Sequence, residues 1–245
     1  MILFLFLTSL VGGSYSADIK QEETHPVVLE PLERTEVYPE VYTRVVEINK
    51  KLGDSFKKGD LILQMDNEVF KAVLEKAVQA RLKAEKELQV KSSLFQEKLV
   101  SELELKDAEL ALASAKADES LAKKNLESAA VVADYSGKVA TIYVRLWEVP
   151  QRDKPMIELV DDSKLVAKLF VPSDRLQQVA PGNVIYIYVK ELGEITQATI
   201  TRTGAVINPA SSTVKIEAEI DNRRGKWKSG MSGQAALNRE ALERL

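Results

Sequence analysis

The chain has 245 residues, 45% of them hydrophobic and 29% charged; this is globular composition and excludes a collagen-like, wholly disordered or many-span membrane protein. Its 34 basic and 37 acidic side chains leave a formal charge of -3, so no bulk basic field gathers nucleic acid and no nucleic-acid partner is expected. There is no cysteine and one histidine, His25, which excludes disulfides, thiolate metal sites, cysteine nucleophiles and histidine-rich metal centres, and leaves a Ser-His triad one residue to draw on. No catalytic residue, metal ligand or cofactor is assigned, and the chain is not expected to be an enzyme.

The first eleven residues, Met1 to Val11, are almost all apolar, about half of the ~20 needed to span a bilayer. Gly12-Gly13 interrupts them, and Ser14 and Ser16 supply small residues ahead of a cleavage after Ser16. Residues 1-16 therefore read as the signal peptide of an exported protein, with a retained short anchor as the alternative. The run carries no Lys or Arg.

From Glu68 to Ala130 there is no Gly or Pro, and Ala, Leu, Lys and Glu dominate, which is long-helix composition. Alternating steps of four and three pick out Phe70, Leu74, Ala77, Arg81, Ala84, Leu88, Lys91, Phe95 and Lys98, then Leu105, Ala108, Leu112, Ala115, Glu119, Ala122, Leu126 and Ala129, the seam of a coiled coil. Between them Ser101-Glu102-Leu103-Glu104 is a capping box that starts a second helix. The spacing predicts two antiparallel helices joined near Leu99-Val100, a hairpin about 46 Å long.

The flanks of this helical region resemble each other. An offset of 94 superposes Val45 on Val139, Ile48 on Ile142, Asp54 on Glu148, Leu63 on Ile157 and Met65 on Leu159, an internal repeat interrupted by the helices. Each half predicts two short strands and a turn, with Gly53-Asp54 and Gly59-Asp60 at tight reversals, and the halves are expected to sandwich into one β-unit.

The half-motif LGDSFKKGDLILQMD, the Ala-rich hairpin and the returning ADYSGKVATIYV together resemble a periplasmic adaptor subunit, or membrane fusion protein, of the HlyD-like and RND-type efflux family. Downstream, Leu165 to Arg175 with Val179 to Val184, Thr203 to Pro209, Thr213 to Ile220 and Lys228 to Gly233 are similar to the strands and turns of that family's β-barrel, with a small helix before Pro181-Gly182. The likeness covers residues 27 to 237. It implies a mainly β protein with a long α-helical hairpin: signal peptide 1-16, an N-terminal segment 17-38 joining the barrel, a lipoyl-like (barrel-sandwich hybrid) unit of 39-66 plus 131-162, the hairpin 67-130, a β-barrel 163-237 and a tail 238-245. Three residues depart from the pattern: Thr43 for a glycine, Ala133-Asp134 for Ala-Pro, and Trp147 for the second turn's glycine. The last predicts a rearranged turn. Only eight residues follow Leu237, so the family's membrane-proximal domain is expected to be absent.

The resemblance implies a non-enzymatic adaptor, inner-membrane associated in the periplasm, with an inner-membrane transporter, an outer-membrane channel of the TolC type and further copies of itself, in a ring of three or six, as partners. Adaptors that dock on such channels carry at the hairpin end an Arg, a Leu four residues later and a Ser seven beyond. Here these positions are Val90, Leu94 and Ser101, with Lys91 beside the first, and the implied contact set is Lys91, Leu94, Phe95, Lys98 and Ser101. The alternative is an envelope coiled-coil interaction protein with no pump partner. Other features have plainer readings: Gly137-Lys138 and Gly225-Lys226 lack the spacing of a phosphate loop and read as turns, Asp161-Asp162 as solvated turn residues, and Tyr186 and Tyr188, alternating with Ile185 and Ile187, as strand packing.

Overall fold

The computed structural model describes residues 24-243; the expected signal peptide lies outside the described residues. In chain order the elements are β1 (His25–Val37), β2 (Val45–Ile48), β3 (Ser55–Phe56), β4 (Leu61–Met65), α1 (Glu68–Gln96), α2 (Glu102–Glu127), β5 (Ala130–Val132), β6 (Gly137–Ile142), β7 (Ile157–Pro172), β8 (Val184–Val189), β9 (Glu194–Asn208), β10 (Thr213–Asp221) and β11 (Ser232–Ala236). The protein is mainly β with two long helices, and its strands surround two separate cores.

The first core lies inside six antiparallel strands. They pair in the order β1, β11, β8, β9, β10, β7, and β7 pairs again with β1, so the sheet closes on itself and leaves no open edge there. Alternation points Leu165, Ala167, Leu169 and Val171 of β7, Val214, Ile216, Ala218 and Ile220 of β10, and Ile185, Ile187 and Val189 of β8 inward. Val179, from the short 3-10 segment Ser173–Gln178 and its exit, and Trp227 complete this core. On the outer wall, Ala241 and Leu242 fold back with Ala236, and Tyr186, Tyr188 and Ile195 pack against them. Both tyrosines thus pack as strand residues.

The second core joins the two halves of the repeat: Val45, Ile62, Leu63 and Met65 from one, Val139, Met156, Ile157 and Leu159 from the other. The offset of 94 holds pair by pair. Val45 faces Met65 and Ile48 faces Leu63 between β2 and β4; Val139 faces Leu159 and Ile142 faces Ile157 between β6 and β7. Even the irregularities correspond, falling between Val45 and Glu47 in one half and between Val139 and Thr141 in the other. The turn at Trp147 is not rearranged. Trp147 itself takes the left-handed conformation, φ +70°, that its repeat-mate Gly53 takes at φ +83°. Asp54 and Glu148 close the two turns alike, accepting from the amides of Lys51 at 2.8 Å and Arg145 at 2.9 Å. Turn closure and cross-repeat hydrogen bonds outweigh the steric cost to a bulky side chain.

Two further expectations are corrected. Gly137 opens strand β6, and a Cβ there would stand 2.2 Å from the Val160 carbonyl oxygen, so glycine serves close strand approach; Gly225, at φ +65°, is a turn residue as read. Asp161 and Asp162 lie within β7, where Asp162 pairs with Lys138 at 2.6 Å and Asp161 accepts from the Ser163 amide. Asp162 is held by a lysine of the neighbouring strand and Asp161 by an amide two residues on in its own strand.

β1 and β7 each run through both cores, paired from Leu29–Ala167 to Val37–Ile157. The two units therefore share continuous strands, and α1 and α2 leave the second core where β4 ends and β5 begins.

Candidate partner-binding site at the end of the helix pair

At 1.5 Å per residue, the 29 residues of α1 and 26 of α2 make helices of about 44 and 39 Å. They run antiparallel, since Arg81 meets Glu119 at 2.5 Å and Lys91 meets Glu104 at 3.0 Å. The seam follows the heptad reading: Ala84, Leu112, Ala115, Ala122 and Ala129 are buried, and the other seam positions are half-buried except Phe95, at the end of α1, and Lys98, just past it. Of the polar seam residues, Arg81 pairs with Glu119 and Lys91 with Glu104 on the facing helix. Small side chains at Ala84, Ala115 and Ala122 let the backbones approach.

The far end is closed by two caps. At the end of α1, the Lys98 amide donates to Phe95 O at 2.9 Å and the Leu99 amide to Leu94 O at 2.8 Å, the Schellman arrangement, which needs a left-handed residue between. Lys98 supplies it at φ +61°, because the sequence holds no glycine between Gly59 and Gly137. At the start of α2, Ser101 Oγ accepts from the Glu104 amide at 3.2 Å and the Ser101 amide donates to Glu104 Oε2 at 2.9 Å. That amide, then Lys91 Nζ and the Ser101 hydroxyl, hold the Glu104 carboxyl well below its usual range, at about 2.

Of the five residues expected at the tip, Ser101 is committed to the cap and Lys91 to Glu104, while Leu94 is half-buried and carries the cap's acceptor carbonyl. Phe95 and Lys98 are exposed. Residues outside that set complete the surface: Val90, Leu99 and Leu103 are large, apolar and exposed. The capping box located the start of α2, but only the left-handed turn at Lys98 decides that Leu99 points to solvent. Val90, Lys91, Glu104 and Ala108 line one groove between the helices just behind the tip. The arrangement offers apolar contact flanked by paired charge. Among the described residues no group of three His, Cys, Asp or Glu side chains can hold a metal ion, and no helix is long and apolar enough to cross a membrane.

No protein-family model matches the chain. An uncharacterized protein of Haemophilus influenzae is 26% identical over 182 residues, covering 73% of this chain and 47% of that one. The nodulation protein NolF of Rhizobium meliloti is 21% identical over 245 residues, covering 91% of this chain and 66% of its own. The chain thus spans between about half and two thirds of these relatives. Among solved structures, a MacA-MexA chimeric protein containing the Pseudomonas aeruginosa MexA α-hairpin domain superposes with a TM-score of 0.74 at 19% identity, over 88% of this chain and 78% of that one. The membrane fusion protein Spr0693 of Streptococcus pneumoniae gives 0.66 at 17%, over 87% and 97%. At such identities the likeness is one of fold. These neighbours are membrane fusion and periplasmic adaptor proteins, the group that the residues resemble.

Proposed function

We propose, for a chain with the fold of the membrane fusion proteins, that it is a periplasmic adaptor linking an inner-membrane transporter to an outer-membrane exit channel of the TolC type. In this reading residues 39-66 and 131-162 form the lipoyl-like unit that packs with further copies into a ring, the helix pair within 67-130 is the hairpin that reaches outward, and 163-237 is the barrel on the transporter side. The carrying observation is the order of parts: a β-repeat in register at an offset of 94, interrupted by a helix pair about 40 Å long that contributes little to either core, and followed by a closed barrel. A narrow two-helix seam buries too little to be a domain in itself, so its length serves reach. The apolar tip of Val90, Leu94, Phe95, Leu99 and Leu103 is the surface assigned to the channel, with Lys91 paired to Glu104 and, as an ammonium, lacking the bidentate fork of an arginine.

The test is complementation. In a strain lacking the chain, the wild-type sequence restores export or drug tolerance, whereas a version with residues 68-127 replaced by a short Gly-rich turn does not, although it is exported, folded and made at normal level. Full restoration by the shortened version removes the bridging role and leaves an envelope interaction protein.

A further inference from the structure

The helix pair joins the second core over a short base. β4 passes into α1 through Asp66 and Asn67, and α2 passes into β5 through Ser128 and Ala129. The backbone there is fixed: the Met65 amide donates to Ala129 O and the Asp66 amide to Arg44 O, each at 2.8 Å, and Ala129 is buried in the core. Of α1 itself, Phe70 in the first turn is partly buried against the same core. α2 is held differently. Glu40, in the segment between β1 and β2, accepts from the hydroxyl of Ser128, the residue that caps α2, and from Lys124 Nζ at 3.2 Å. Among the described residues Lys124–Glu40 is the only ion pair between a helix and the strand units, since the helices' other ion pairs lie within the pair.

Glu40 is rigidly mounted. On one side Pro39 is buried, and proline has a fixed φ; on the other Val41 packs against the second core. Val37 O accepts from the Met156 amide at 2.8 Å, and Arg44 ends the segment with Nε and a terminal nitrogen each 3.0 Å from Asp66 Oδ2. The Ser128 hydroxyl, then Lys124, hold the Glu40 carboxyl below the usual carboxylate range, so it is charged at neutral pH.

We propose that Glu40 is a latch that fixes the direction in which the helix pair leaves the second core. Apolar contact such as that of Phe70 is non-directional and lets the pair rock. A charge-assisted hydrogen bond to the cap of α2 has a direction and selects one tilt. Exposed pairs of this kind add little to stability, so the latch opens without unfolding either unit. Along a helix of about 40 Å a tilt of about 10° carries the far end about 7 Å, so one side chain at the base decides whether the tip stands in one place or sweeps. The segment that bears Glu40 continues β1, whose Val27 and Leu29 lie in the first core, and a shift of that strand in the barrel therefore reaches the latch along the chain. What the latch is for rests on the adaptor reading, in which the tip must meet a channel.

Because the chain has no cysteine, two spin labels can be placed in the full chain at exposed sites, Leu110→Cys on α2 with either Leu52→Cys or Val132→Cys on the second unit. Pulsed electron double resonance gives a single narrow distance distribution for each pair of labels. Glu40→Ala at least doubles the width for one of the pairs, and Lys124→Glu, which sets like charges together, does the same. Glu40→Lys combined with Lys124→Glu restores the narrow distribution, and none of these changes moves the thermal unfolding midpoint. An unchanged width in Glu40→Ala overturns the latch. So does a broad distribution with Glu40 in place, or a charge swap that stays as broad as the single variants. The measurement needs no partner, so its failure leaves the adaptor reading standing, and a failed complementation leaves the latch standing.

Discussion

Gly53 and Trp147 occupy the same place in the two halves of the repeat and exchange partners across it: the Gly53 amide donates to Val139 O at 2.9 Å, and the Trp147 amide to Val45 O at 2.7 Å. Val139 and Val45 return the bond, to Asp54 O at 3.0 Å and Glu148 O at 2.8 Å. Two turns of one hand thus lock the two halves to each other, and the left-handed conformation is required at both.

Glycine meets that requirement at no steric cost, whereas tryptophan carries about 1–2 kcal/mol of left-handed strain. Trp147 is 66% exposed, and its ring is covered by the Arg44 guanidinium at 5.6 Å, a contact of about 0.5–1 kcal/mol at such a site. Trp147→Gly therefore keeps or raises the unfolding midpoint. Trp147→Val, β-branched at a positive φ, lowers stability by at least about 1 kcal/mol. A denaturant series on the two variants decides it, and a larger loss for glycine than for valine contradicts the account.

The helix seam makes a second prediction. Ala122 is 4% exposed between the helices, so Ala122→Leu forces them apart and costs about 1–3 kcal/mol. Leu121→Ala, one residue along and facing solvent, costs less than about 0.5 kcal/mol. Thermal unfolding followed at a helix-sensitive wavelength separates the two, and equal effects mean that the seam is misassigned.

Much of this was legible in the sequence, because the signals were periodic. The heptad spacing found the seam from Phe70 to Ala129, the Ser101 box found the start of α2, and the 94-residue offset found the paired strands, since period, cap and repeat each act within a short stretch of chain. What could not be read depends on contacts between distant residues. Nothing beside Gly137 announces the Val160 carbonyl that excludes a side chain there, and nothing beside Asp162 announces Lys138. At the tip, the composition of Leu94 to Ser101 was plain, but which apolar side chains face outward rests on a left-handed lysine that no residue preference signals.

The cap at Glu104 has a pH signature. Its carboxyl titrates at about 2 in the folded chain against 4.5 ordinarily, so the unfolded chain binds the proton first. The cap's contribution is fully present above pH 4.5 and is lost as the pH falls from there through about 2. Glu104→Gln, which lacks the charge, removes this dependence while keeping an acceptor for the Ser101 amide. Ser101→Ala, which takes away one acceptor, costs about 1 kcal/mol at neutral pH. Hydrogen exchange of the first-turn amides of α2 between pH 5 and 2 reads both, and an identical profile for wild type and Glu104→Gln contradicts the assignment.

Asn222 carries the sharpest test of the junction between the two cores. Its side chain is 3% exposed and fully engaged: Nδ2 donates to Asp162 O and Trp227 O, each at 2.8 Å, and Oδ1 accepts from the Trp227 amide at 2.8 Å. Its own amide donates to Ser163 O at 2.9 Å, fastening the loop after β10 to β7 near where that strand passes from one core to the other. Asn222→Ala leaves two carbonyls and one amide without partners and costs about 2–4 kcal/mol, since each buried polar group stranded in this way costs on the order of 1–3 kcal/mol. Asn222→Asp has nearly the same shape but turns a charged oxygen toward those two carbonyls in a buried position, so it is the worse of the two. Lowering the pH through the carboxylate range restores a donor and closes the gap between the variants. Unfolding midpoints at neutral and at acidic pH, each referred to the wild type, make the comparison; if aspartate proves milder than alanine at neutral pH, the donor role assigned to Nδ2 is wrong.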